Sequence, residues 1–330
     1  MDEYIRTPQQ PLGSGFGHGS TAAEVLAGVD LHGKTAIVTG GYSGLGLETV
    51  RALVGTGAHV VVPARRVDHA RAVLHGMGLR EPVVEVAPLD LGDQQSVSDF
   101  ATWYLHSGRR LDILINNAAI MASPEMRVGP GWEAQFATNH LGHFTLANLL
   151  WPALASDGGA RVVSLSSTGH KITGIHFDDL GLDDGYEKWR AYGQAKTANA
   201  LFAVELDRLG AAHGVRAFAV HPGGIMTELQ RHLSHEEMVA AGWMDEAGNL
   251  REGFKTPPQG AATSCWAATS RLLEGKGGVY CEDCDIAAPT DPDSPLARFM
   301  GVDPHAVDPA SAHRLWEVSA TMTGVNAFAG

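Results

Sequence analysis

Apolar residues along this chain fall into two alternating rhythms. Short, nearly continuous apolar runs recur near 35–39 (TAIVT), 58–62 (AHVVV), 83–87 (VVEVA), 111–115 (LDILI), 161–165 (RVVSL) and 215–220 (VRAFAV), bounded by Gly, Pro, Asn or Asp. Between them lie longer segments of helical spacing, near 45–56, 67–76, 94–106, 131–155, 187–212 and 259–273. Strands without polar alternation are those buried on both faces, as when helices cover a parallel sheet on each side. The pattern predicts a single α/β domain of Rossmann type over about 21–330, a doubly wound parallel sheet of six strands. No internal repeat and no linker divides it.

Residues 1–20, rich in Gly, Pro and Gln, read as a wrapping or frayed arm with neither the basic nor the apolar region of a signal peptide. The irregular stretch near 226–258 reads as a substrate lid, and the Pro-rich stretch from about 288 to 330 as a C-terminal extension. In the segment near 131–155, Trp132, Phe136, Leu146 and Leu149 recur at helical spacing, which suits core or a subunit interface. The long helices near 131–155 and 187–212 therefore make a homodimer the default expectation.

Composition narrows the partners. Among 330 residues, 24 Lys plus Arg stand against 37 Asp plus Glu, a net charge of −13 that argues against nucleic acid and anionic membranes. Three cysteines make no disulfide framework, and no apolar run approaches the roughly 20 residues of a spanning helix. The expectation is a reduced, soluble, cytoplasmic protein. Cys281 and Cys284 lack the two further ligands that a tetrahedral zinc needs, and the scattered histidines form no metal motif. No metal is expected.

The candidate chemistry begins directly after the first strand, where Gly40, Gly41, Tyr42, Ser43, Gly44, Leu45 and Gly46 form a G-x-x-x-G-x-G turn opening a helix. Backbone approaches a pyrophosphate only where no Cβ intervenes, and helix-start N–H groups favour its charge. The same letters also suit a tight turn without a ligand. The second strand ends without the carboxylate usual for NAD and is followed by Arg65 and Arg66, which suit the 2′-phosphate of NADP unless they are simply solvated. Asp90 and Leu91 follow the third strand, and Asn117, Ala118 and Ala119 the fourth, at carboxyl ends where open α/β sheets bind ligands.

Tyr192 and Lys196, four apart on a helix, share a face, so a cation stands near a phenol that is otherwise a poor acid at neutral pH. Paired serines Ser166 and Ser167 end the fifth strand, Asn139 sits unexpectedly inside a helical segment, and Pro222, Gly223, Ile225 and Thr227 close the sixth strand with a turn able to hold a carboxamide. His170 and His176, close by in sequence, are candidates for lining a substrate pocket.

In this order, G-x-x-x-G-x-G, N-N-A, S, Y-x-x-x-K and P-G-x-x-x-T resemble the short-chain dehydrogenase/reductase family. GSTAAEVL at 19–26, NHLGHF at 139–144 and GVYCEDC at 278–284 resemble its retinol dehydrogenase and WW-domain oxidoreductase branch, over roughly residues 16–320. The resemblance implies Tyr192 as general acid/base and Lys196 as the residue that lowers its pKa and binds the nicotinamide ribose. It implies Ser167, the second of the pair, as the carbonyl-orienting hydroxyl, and Asn139 as holder of a water relay to Lys196. The 25-position gap from Ser167 to Tyr192 is longer than usual in the family, Ala119 stands where Gly is frequent, and Tyr42 stands where this branch often has Asn. The expected activity is interconversion of a hydrophobic ketone or aldehyde and its alcohol, with NADP(H) preferred over NAD(H). A catalytically silent dinucleotide-sensing or partner-binding module on the same fold is the alternative.

Overall fold

The computed structural model describes residues 4–156 and 158–329. Its sheet contains β1 (Thr35–Val38), β2 (His59–Ala64), β3 (Val84–Pro88), β4 (Ile113–Asn116), β7 (Arg161–Leu165), β8 (Arg216–His221), β9 (Val279–Glu282) and β10 (Asp285–Ile286). A separate two-stranded hairpin pairs β5 (Arg127–Val128) with β6 (Trp132–Glu133). The sheet order is β10-β9-β8-β7-β4-β1-β2-β3, parallel throughout except for β10, which runs antiparallel to β9. The reversal of strand order between β1 and β4 opens a crevice at the carboxyl ends of the strands, where ligands of such sheets bind. Apolar clusters pack on both faces of the sheet, which accounts for the continuous apolar strands.

The six expected strands are present, shifted by one or two residues at their ends. The sheet is nevertheless larger than expected and not wholly parallel. Val279–Glu282 and Asp285–Ile286 extend it, and positive φ at Asp283 (46°) and Cys284 (61°) turns one strand back on the other. Cys265, Cys281 and Cys284 are free, buried thiols. Among the described residues no group of three or more His, Cys, Asp or Glu stands close enough to hold a metal, and no helix is long and apolar enough to cross a membrane.

The segment expected as one helix over 131–155 is broken. Trp132 and Glu133 belong to β6, and the Glu133 carboxylate accepts the N–H groups of Gln135 and Phe136, starting the helix only there. A π-turn follows at Ala137–Leu141, then helices Gly142–Leu149 and Trp151–Leu154. The cause sits at Asn139, whose side chain exchanges two hydrogen bonds with the backbone of Ile120 while its carbonyl pairs with His143 Nδ1, both at 2.9 Å.

Phe136 and Leu146 are buried, and Trp132 and Leu149 pack against the same cluster. The ring of Trp316, from the C-terminal helix Pro309–Thr323, stacks on Phe202 of helix Lys188–Gly210 and lies 4.8 Å from Phe144. The C-terminal helix thus covers apolar side chains on both long elements whose faces suggested a dimer. The N-terminal arm lies along the β9–β10 edge: Gln9 donates to the carbonyls of Tyr280 and Ala287 and accepts the Tyr280 N–H, and Asp285 accepts the N–H groups of Leu12, Gly13 and Ser14.

Candidate active site

Thr39, at the end of β1, organises the glycine turn. Its hydroxyl oxygen accepts the N–H groups of Asn117 and Ala118, each at 2.9 Å, while Asn117 Nδ2 donates to the Thr39 carbonyl at 2.7 Å. The ends of β1 and β4 are thereby fixed against each other. Gly40 takes φ +65°, and a Cβ at Gly46 would lie 2.3 Å from the Gly40 carbonyl oxygen, so the turn closes tightly only with glycine. Ser43 precedes helix Gly44–Gly55 in extended conformation without a side-chain cap, leaving the first N–H groups of that helix uncapped. A bare backbone concavity with free donors suits a pyrophosphate, so the residues present fit a dinucleotide.

The cavity above this turn has a volume of about 1520 Å³, more than the roughly 300–1000 Å³ of a single-ligand pocket, and holds room for two reactants. Every candidate cofactor residue lies on its wall: Gly40, Tyr42 to Gly46, Arg65, Arg66, Asp90, Leu91, Asn117 to Ala119, Pro222, Gly223, Ile225 and Thr227. Ser167, Tyr192 and Lys196 lie there too. Asn139 does not, being fully buried behind the wall with its side chain committed to Ile120. Arg65 and Arg66 are exposed at the cavity rim and make no ion pair or side-chain hydrogen bond among the described residues.

Helix Lys188–Gly210 carries Tyr192 and Lys196 one turn apart, with Lys196 Nζ 5.6 Å from the phenol ring centre. Ser166 Oγ donates to the Lys196 carbonyl and so serves the scaffold, whereas Ser167 Oγ faces the cavity and accepts the Gly169 N–H at 3.1 Å. Gly169 is what lets these groups meet: a Cβ there would lie 2.8 Å from Tyr192 Cε1 and 3.5 Å from Ser167 Oγ.

Burial pushes the Tyr192 phenol up to about 12, against a smaller downward pull from Ser167, and burial brings Lys196 down to about 7. Lys196 Nζ donates to the Leu165 carbonyl at 2.9 Å. In this arrangement desolvation, rather than an ammonium beside the ring, dominates the phenol.

The two histidines expected on the pocket wall are elsewhere. His170 is fully buried, its Nδ1 2.7 Å from the Ser167 carbonyl and its Nε2 accepting the Asp303 N–H at 3.1 Å. His176 faces a different depression, where Thr173 and Arg190 bond its ring. Short-range sequence distance put both near Ser167, but the turn at 168–171 sends His170 behind the wall and His176 to the other depression.

The wall facing Tyr192 uses residues that local reasoning missed. Trp189, Trp243 and Phe254 form a run of aromatic rings, with Trp189 6.2 Å from Tyr192 and 5.9 Å from Trp243. Leu296, Phe299 and Met300 arrive from the C-terminal extension. Lys255 is buried beneath Gly223 (φ +101°), where it accounts for the glycine: a Cβ would meet the lysine Cδ at 2.8 Å. Its ammonium is bonded to Asp283 at 2.6 Å, tying the end of the 226–258 segment to the β9–β10 turn. The irregular composition of 226–258 was the available signal for Trp243 and Phe254; nothing local marked Lys255 or Met300.

Comparison with known proteins agrees with this geometry. Residues 34–238 match the family model described as short chain dehydrogenase. A "Probable oxidoreductase" of Streptomyces lividans is 45% identical over 301 residues, covering 88% of this chain and 98% of the relative. Retinol dehydrogenase 14 of Homo sapiens is 37% identical over 314 residues, covering 89% and 88%. Among solved structures, an uncharacterised protein from Mycobacterium paratuberculosis is similar with a TM-score of 0.70 at 33% identity, covering 93% of this chain and 98% of that one. Relatives of both bacterial and animal origin match over most of their length, so the retinol dehydrogenase branch is not singled out.

Proposed function

The chain belongs to the short-chain dehydrogenase/reductase family, and from that premise we propose that it is an NADP(H)-dependent oxidoreductase interconverting a hydrophobic ketone or aldehyde with its alcohol. The observation that carries this reading is the meeting of Ser167, Tyr192 and Lys196 with the glycine turn on one cavity wall. The apolar wall of Trp189, Trp243 and Phe254 supports a hydrophobic substrate.

In this reading the Gly40–Gly46 turn and the start of helix Gly44–Gly55 hold the pyrophosphate, and the turn from Pro222 to Thr227 holds the carboxamide. Arg65 and Arg66 are unpaired cations at the end of β2, and the absence of a carboxylate there supports a 2′-phosphate over a bare ribose. The bound dinucleotide supplies or accepts the hydride. The chain's own residues handle the oxygen. Ser167 Oγ orients the carbonyl oxygen, and Tyr192 gives that oxygen its proton in reduction and takes it back in oxidation. A phenol held near 12 remains protonated at neutral pH, the state that reduction needs. Lys196, titrating near 7, stands one helical turn away as the next proton carrier. Asn139 acts at a distance by fixing the backbone of Ile120, which lines the same cavity.

The test is NADPH consumption, with a parallel NADH arm, across hydrophobic ketones and aldehydes, and the reverse reaction with their alcohols. Tyr192→Phe is expected to lower kcat by roughly a thousandfold or more while leaving NADPH affinity within a factor of about two. A variant that retains most of its turnover overturns the assignment. Absence of turnover with NADPH binding intact favours the sensing module.

A further inference from the structure

The GVYCEDC stretch puts an acidic side chain where the proposed chemistry has no use for one. Glu282 ends β9 directly opposite His221 at the end of β8, so it stands on the same carboxyl edge of the sheet as the β7 end that leads to Ser167. Among the acidic side chains of the cavity wall it is the buried one, 9% exposed. Its Oε1 accepts the Gly301 N–H at 2.8 Å. Its Oε2 accepts no hydrogen bond among the described residues, and Glu282 is a lining residue of the cavity.

The neighbouring cations do not close on it. Lys171 Nζ is bonded to Asp303 at 3.0 Å and Lys255 Nζ to Asp283 at 2.6 Å. His221 is uncharged, burial holding it near 3. A carboxylate oxygen nine-tenths buried and without a protein partner loses its remaining solvation when the cavity fills. That loss is offset only by a ligand that brings a donor to the same place.

We propose that Glu282 is a specificity-determining residue that accepts a hydrogen bond from a substrate hydroxyl, so that the preferred substrates are hydroxylated carbonyl compounds, apolar toward Trp189 and Trp243 and polar toward the sheet edge. The inference rests on the oxidoreductase reading of the cavity. A neutral hydroxyl fits better than an ammonium: burial raises the Glu282 carboxyl above its ordinary range, with Asp283 adding to this and Gly301, Lys171 and Lys255 opposing it, and a hydroxyl can donate to the carboxyl in either protonation state.

The experiment compares α-tetralone with its monohydroxylated derivatives on the full chain, with NADPH, in the wild type and in Glu282→Gln and Glu282→Leu. Two readouts are taken: kcat/KM from NADPH oxidation, and ligand affinity from quenching of Trp189 and Trp243, which line the cavity and report binding without turnover. At least one hydroxylated derivative is expected to exceed the parent ketone by tenfold or more in the wild type, in both readouts. Glu282→Leu is expected to erase that preference by lowering only the hydroxylated member. Glu282→Gln, which keeps an acceptor for Gly301, is expected to retain part of it and to fold normally by circular dichroism. NADPH affinity stays unchanged throughout.

Parity of parent and hydroxylated ketones in the wild type overturns the proposal, as does an equal loss of both in Glu282→Leu. Failure of every derivative to bind overturns it too. A changed NADPH affinity overturns it by placing Glu282 against the cofactor. Hydroxylated ketones that bind preferentially without any NADPH oxidation support the Glu282 assignment and refute the reductase reading instead.

Discussion

The two halves of the cavity are built on different principles. The half around Gly40–Gly46, Asn117 and Pro222 is made largely of backbone at the ends of adjacent parallel strands, and each piece lies within a few residues of a strand. The half around Trp189, Trp243, Phe254, Phe299 and Met300 is made of side chains delivered by a helix, the irregular 226–258 segment and residues 296–300, far apart in sequence. Backbone geometry at a sheet edge tolerates few substitutions, because a single added Cβ collides with main chain. Side chains on loops can change one at a time without disturbing the sheet. The first half suits a ligand common to many enzymes, the second a ligand particular to one.

Gly46→Ala tests the backbone half most severely. Its Cβ would fall 2.3 Å from the Gly40 carbonyl oxygen, so the turn must open. Dinucleotide affinity is expected to fall by roughly a hundredfold, measured by NADPH fluorescence titration, an effect of the size a 1 Å displacement produces. Unchanged affinity removes the turn from the cofactor site. Arg65→Ala tests which dinucleotide that half prefers: NADPH affinity is expected to drop by about tenfold or more, the worth of one charge-assisted hydrogen bond, with NADH nearly unaffected. Equal losses remove the 2′-phosphate assignment.

Trp243→Ala belongs to the other half and is expected to raise KM for a hydrophobic ketone by roughly tenfold through lost apolar contact, leaving NADPH affinity intact. A change confined to NADPH affinity shows that the halves are not separable. The smallest fractional change at neutral pH is expected from the buried histidines, three behind the wall and His221 on it. His140 and His221 titrate near 3 and His143 and His170 near 4, in each case because burial opposes the charged ring. Their folded values lie below the roughly 6.5 of an unfolded chain, so the unfolded state binds more protons between pH 6.5 and 4. Stability is therefore full above about pH 6.5 and declines as the pH falls toward 4, by about 2 kcal/mol for each histidine at pH 5. Urea unfolding at pH 7 and 5 checks the sign; equal midpoints contradict the neutral, buried assignment.

The same division explains what could be read from the sequence. Six strands announced themselves because burial on both faces demands uninterrupted apolar runs, and the residues lining the backbone half of the cavity followed from their positions after those strands. Val279–Glu282 escaped notice because a four-residue strand containing Cys and Glu has no periodicity to distinguish it. The segment over 131–155 looked like one helix because hydrophobic spacing does not register a side chain such as Asn139 that bonds outside its own helix. Met300 and Glu282 reach the cavity, and Lys255 its supporting layer under Gly223, through tertiary packing alone, and no local pattern encodes that arrival.

The seating of the N-terminal arm bears on how the chain is made. Gln9 finds its carbonyl partners 271 and 278 positions further on, and Arg6 donates to Val307, 301 positions away. During synthesis those partners emerge only after the 271 to 301 intervening positions have been made, so the arm waits for them before it is fastened. Contacts of such sequence separation form late in folding because loop closure must precede them. Until then the outer edge of the sheet stands open to other strands, and the interval before the arm docks is when a nascent chain is most prone to associate with its neighbours.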